Sequence, residues 1–257
     1  MLFVIRARRA HTAVIFRRGP SKQVALVRWH LDGDRFDVGQ WLKGRIYERR
    51  CDLSPDGERL IYFAATWKGL QSWTAISRPP YLTALVLWPK GDAWGGGGLF
   101  DDDRIIRLNH GPRPSAPTQG NVPKKMRVVP FGGGGEDWPI YGMRLARDGW
   151  TLVQEGGVHR VGGEYEWELD PPLIYERRGL RMIVRGIGNK NGPWYAIDHE
   201  VVGKRTLPKT SWADWDDNGD LLWAQGGTLY RNDRALIDLA PLEFEARESP
   251  ASARRWF

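Results

Sequence analysis

Asp214, Asp216, Asn218 and Asp220 are the residues whose spacing comes nearest to a defined chemistry. They alternate along Asp214-Trp215-Asp216-Asp217-Asn218-Gly219-Asp220, with Gly219 at the sharp turn. Calcium takes about six to eight hard oxygens, and this spacing aims alternate side chains inward. Counting Asp214 as the first position, the ninth is Leu222 and the twelfth is Gln225 rather than a bidentate glutamate, so the ligand set is incomplete. The expectation is an acidic hairpin turn, with calcium as the one cofactor it could take.

A second set is aromatic and acidic. Trp88, Trp94, Phe100 and the run Asp101-Asp102-Asp103 flank the tetraglycine Gly95 to Gly98, and Trp138 follows a second tetraglycine, Gly132 to Gly135. Neither tetraglycine carries the Lys-Ser/Thr of a phosphate loop or the G-x-G-x-x-G spacing, so both read as flexible connections or close backbone packing. If both loops reach one face, Trp88, Trp94, Phe100, Asp101 and Trp138 form a surface for a protein partner. If they do not, the aromatics belong to the core. A third set is Glu164, Glu166 and Glu168, alternating with Tyr165 and Trp167. It reads as a strand with an acidic face, either solvated or serving a glycosidase through paired carboxylates.

Other chemistries lack their parts. The five histidines, His11, His30, His110, His159 and His199, show no metal-ligand spacing. Cys51 follows Arg49-Arg50, which would favour a thiolate if the residue were exposed, whereas a buried cysteine is inert. The G-x-S-x-G elbow of a serine hydrolase does not occur.

The elements that must position these residues read as short strands. The strongest local signal is Asp52 to Ala64. Pro55, Asp56 and Gly57 suit a β-turn. Leu60 to Ala65 then offers apolar residues to both faces, so this strand must be covered on both sides. Related patterns recur at Arg147-Asp148-Gly149-Trp150 and at Asp217-Asn218-Gly219-Asp220, each followed by a strand-like run and a glycine pair. Sustained helical periodicity is lacking. Only Leu236 to Arg247 has room for a short helix, and it reads equally well as a strand. Residues 110–125, rich in Pro, Ser and Gly, predict a long exposed loop.

Many short strands punctuated by 31 glycines and 17 prolines predict an all-β fold. Weak internal repeats favour a single β-propeller over a β-sandwich. A blade takes roughly 40 to 50 residues, so five or six blades fit residues 1–257. Ser54-Pro55-Asp56-Gly57-Glu58-Arg59-Leu60-Ile61-Tyr62 resembles the S-P-D-G-x-x-[LI]-[AV]-[YF] signature of TolB-type and WD40-like propeller repeats. The resemblance covers one good copy and two degraded ones, and Trp215-Asp216 precedes its turn instead of closing a blade. It implies a blade architecture that mostly serves as a scaffold for protein partners, though enzymes also use it.

The net charge of +7 arises from 38 basic and 31 acidic residues that are largely interleaved, so the surface reads as mixed with basic ends. Nucleic acid is thereby disfavoured as a partner, although the basic balance leaves it open. One cysteine forms no intrachain disulfide, and the run Leu2-Phe3-Val4-Ile5 is too short for an export signal or a membrane span. The expectation is a soluble, cytoplasmic, non-catalytic binding module that engages a protein through its loop faces. The alternative is a propeller hydrolase acting on a glycan with carboxylates in a central cleft.

Overall fold

The computed structural model describes residues 1–19, 22–66, 71–132, 135–162, 166–188 and 194–257. Gly133, Gly134, Glu164 and Tyr165 lie outside the described residues. By its internal contacts the chain divides into two compact units. One comprises residues 3–144 and 242–257, the other residues 1–2 and 145–241.

The first unit begins with the sheet β1 (Leu2–Arg6), β2 (Thr12–Arg18), β3 (Gln23–His30) and β4 (Arg35–Lys43), in that spatial order. A second sheet holds β5 (Arg45–Ile46), β6 (Asp52–Leu53), β7 (Leu60–Ala65), β8 (Ser72–Ser77) and β9 (Val86–Pro89), with β5 and β6 both paired to β7. All six residues of β7 are buried, as two apolar faces require. The hairpin β10 (Gly98–Phe100) and β11 (Ile105–Leu108) follows. Residues 110–125 are mostly exposed, and within them β12 (Gln119–Gly120) pairs with the edge of β9. β13 (Arg127–Pro130) joins β11 in parallel. Ile61, Ile76, Val86, Trp88, Phe100, Ile106 and Leu108 form a continuous apolar cluster in this unit.

An α-helix, α1 (Trp138–Arg147), corrects the expectation of no helix before residue 236. Pro139 sits in its first turn, where a missing N–H costs nothing. The Tyr141 amide donates to the Asp137 carbonyl. At the other end Trp150 N donates to Leu145 O and Gly149 N to Ala146 O, with Gly149 at φ +85°. That is a Schellman cap. Asp148-Gly149 therefore ends a helix and does not turn a hairpin, which corrects one of the three repeat copies. Both structures need glycine at positive φ, so the dipeptide alone does not separate them.

The other two copies share their geometry. Gly57 N donates to Ser54 O and Gly219 N to Asp216 O, and each turn joins an antiparallel pair.

In the second unit β14 (Thr151–Gln154) and β15 (Val158–Arg160) both pair with the long β16 (Trp167–Arg177). β17 (Leu180–Ile187), β18 (Tyr195–Val201) and β19 (Arg205–Leu207) complete that sheet in sequence order. β20 (Trp212–Trp215), β21 (Leu221–Gln225), β22 (Thr228–Arg231) and β23 (Arg234–Asp238) form an antiparallel meander. Beyond β23 the backbone through Arg247 is irregular, so Leu236 to Arg247 starts as strand and holds no helix. The fold is all-β, with several antiparallel sheets. No helix among the described residues is long and apolar enough to cross a membrane.

Candidate functional site

The aromatic and acidic set divides on folding. Trp88 and Phe100 lie in the apolar cluster and are buried, which corrects their assignment to a binding surface. The reason is strand position: both sit on β9 and β10 and point into the cluster around Ile61 and Ile106. Asp101 accepts two hydrogen bonds from Arg107 Nε, at 2.7 and 2.8 Å. Asp102 caps the amides of Arg104 and Ile105, and Asp103 accepts from the Asp56 amide and from Arg9. This aspartate run is a turn tied down by its own neighbours. Trp138 packs on Tyr141 with ring centroids 5.5 Å apart. Of the aromatic residues in the set only Trp94, 62% exposed, projects well into solvent.

The start of the first tetraglycine and the segment after the second do meet, around a residue the sequence did not single out. Arg50, fully buried in the short 3-10 turn Glu48–Arg50, donates to Ala93 O and Gly95 O from the first loop. It also donates to Asp137 Oδ1 at 2.5 Å and lies 3.3 Å from Glu136, both just after the second loop. Its guanidinium stands 4.6 Å from the Tyr47 ring centroid and 5.2 Å from that of Phe63. A Cβ on Gly96 would lie 2.3 Å from the Phe63 ring, and one on Gly97 would lie 2.0 Å from Arg50 O. The glycines are there for close backbone approach. Removing one partner of such a buried pair costs about 3–5 kcal/mol, because the other charge is stranded. Cys51, next in the chain, is buried, and its thiol donates to Tyr47 O at 3.1 Å. Burial pushes its pKa up, so the thiol stays protonated and inert.

The Asp214 turn is filled by arginine. Asp214 accepts from Arg177. Asp216 Oδ1 accepts the amides of Asn218 and Asp220, and its other oxygen accepts from Arg231. Arg231 reaches Asp220 as well, at 3.2 Å, while Asn232 donates to Asp220 at 2.8 Å. The Asn232 and Arg231 hydrogen bonds hold the Asp220 carboxyl below its ordinary pKa. Three carboxylates thus meet two guanidinium groups, with Arg231 between Asp216 and Asp220. Among the described residues no group of three His, Cys, Asp or Glu side chains is placed to hold a metal ion.

Of the third set, Glu166, Trp167 and Glu168, in the second unit, line a depression of about 290 Å³. Register explains it. Glu168 of β16 pairs with Gly186 of β17, and Gly186 pairs with Ala196 of β18. Glycine and alanine in one cross-strand row leave a shallow floor. A bulge at Arg185 interrupts the ladder there, and bulges re-aim side chains. Trp167 and Trp194 line the depression, with Glu166, Glu168, Arg185 and Val161. Arg185 Nε donates to Asp198 at 3.0 Å, so its charge is answered. Partial burial works against the Asp198 carboxylate, but the Lys209 amide and Arg185 prevail and keep its pKa low. Trp167 is 40% exposed, and Leu152, Val153, Val158 and Val161 stand exposed on and beside β14 and β15. The strand with an acidic face was legible in sequence; the small-residue row and Trp194 were not, because they come from other strands.

No family model matches the chain, and no curated protein matches it. Among solved structures the chain is similar to the β-propeller domain of the Trilobed protease from Pyrococcus furiosus. Identity is 11%, the TM-score is 0.27, and the match covers 89% of this chain and 79% of that chain. A likeness of that size carries no argument about this protein.

Proposed function

We propose that the chain is a β-propeller binding module that engages a protein partner through one loop face. Successive antiparallel strands in most sheets, and the shared turn at Ser54–Gly57 and Asp216–Gly219, support the blade reading. The observation that carries the function is the depression at the ends of β16, β17 and β18, walled by Trp167 and Trp194. Exposed Val161 adds apolar surface to its lining. Singly exposed apolar residues are ordinary, but a group of them beside a concave site marks recognition. Loops at strand ends vary without disturbing the sheet, which suits them to this role.

A photo-reactive amino acid in place of Val161 tests the reading. Illumination in native extract is expected to capture one partner in stoichiometric amount, and Trp167→Ala is expected to abolish the capture. The same probe at Trp94 samples the other exposed tryptophan. Failure to capture a partner at Val161 rejects the assignment of this face.

A further inference from the structure

We infer that the group received by the depression is a basic side chain, lysine or arginine, presented on an extended peptide segment. The inference rests on the binding-module reading above and assigns its partner's chemistry.

Charge comes first. Glu166 and Glu168 bring two carboxylates to the lining, and neither forms an ion pair among the described residues. The one cation of the lining, Arg185, is engaged by Asp198 at 3.0 Å. Arg160, opposite Trp167 on β15, stands outside the lining. Among the described residues the lining therefore carries two carboxylates with no ion-pair partner of their own. Aromatic surface comes second. A cation beside an indole face is attracted by the ring quadrupole, most strongly for tryptophan, and here two tryptophans and two carboxylates converge. Size comes third. A volume of about 290 Å³ is at the lower end for ligand sites, which run from roughly 300 to 1,000 Å³, and suits one side chain better than a cofactor. The long methylene stem of lysine or arginine packs along apolar surface while its head reaches the carboxylates. Exposed Val161 in the lining suits an apolar neighbour of that residue in a peptide.

The test uses the whole chain and fluorescein-labelled peptides of alternating valine and lysine or arginine, read by fluorescence polarisation. A matched peptide carries norleucine, the uncharged analogue of lysine. Binding is expected to weaken about tenfold on the norleucine exchange, and by a similar factor for Trp194→Ala. Glu168→Gln is expected to weaken it about three- to tenfold, and added salt to weaken it further. Glu168 is exposed, so this variant keeps the fold, which circular dichroism checks. Equal binding of the norleucine peptide overturns the inference, as does an unchanged affinity in Glu168→Gln. Displacement of the peptide by neutral oligosaccharides, or binding of these alone, overturns it in favour of a glycan. If the Val161 probe captures a partner but no basic peptide binds, this inference falls and the binding-module reading stands. If both experiments fail, both readings fall.

Discussion

Single residues in this protein behave according to who surrounds them, and His110 shows the effect on titration. Its Nε2 lies 2.7 Å from Thr74 Oγ1. Burial lowers its pKa to about 4; Lys90 adds to the shift and Asp92 opposes it. The unfolded value is about 6.5, so the folded state favours neutral imidazole. The sign follows: this contribution is complete above about pH 6.5 and is lost as pH falls towards 4. Its full size is about 3 kcal/mol. Urea unfolding at about pH 7 and about pH 4 is expected to show that much more loss in the wild type than in His110→Gln. Parallel pH profiles for the two proteins would rule this out. Arg50 shows the same dependence on surroundings. It lies in the charged run Glu48-Arg49-Arg50, yet it is the most completely enclosed charge at the two-loop junction. Nothing local marks it, since its partner Asp137 is 87 positions away.

At the level of elements, glycine is the informative residue, because one residue type serves two different needs. Gly219 has φ +87° in its turn and open space where a Cβ would stand. Gly97 has φ +77°, but a Cβ there would lie 2.0 Å from the Arg50 carbonyl oxygen. Gly219→Ala is expected to cost about 1–2 kcal/mol, the strain of the left-handed region alone. Gly97→Ala is expected to cost more than about 4 kcal/mol, because backbone must also move. Thermal and urea unfolding of both variants decide the matter, and equal costs would refute the distinction. The strands and two of the three turns were legible from period and turn chemistry. Helix α1 was not, because its ten residues include Pro139 and Gly142 and its cap mimics a hairpin turn. The acidic strand at Glu166 and Glu168 was visible as a strand, read as a solvated face or as a glycosidase's paired carboxylates, whereas Trp88 and Phe100 belong to the core.

For the whole molecule, the last segment matters beyond its modest secondary structure. Within its unit, Phe244 packs edge-on to Trp41 with centroids 5.8 Å apart, Gln40 Nε2 donates to Arg247 O, and Trp256 packs against the apolar cluster. Ending the chain after Pro241 is therefore expected to lower hydrogen-exchange protection in β4, β8 and β9. Unchanged protection in those strands would show that the segment is dispensable. The all-β class, the covered strand β7, the turns at Gly57 and Gly219 and the exposed stretch at 110–125 were all set by local sequence. They follow from alternation and from the conformational limits of glycine, proline and aspartate, which act over a few neighbouring residues. Three other outcomes needed the folded chain: Trp88 is core while Trp94 and Trp167 face solvent, Arg231 fills the Asp214 turn, and Glu168, Gly186 and Ala196 form one row. Those outcomes depend on which distant segments meet. Exposure and charge compensation are properties of the meeting, so the same residue types in the same local pattern can fall on either side.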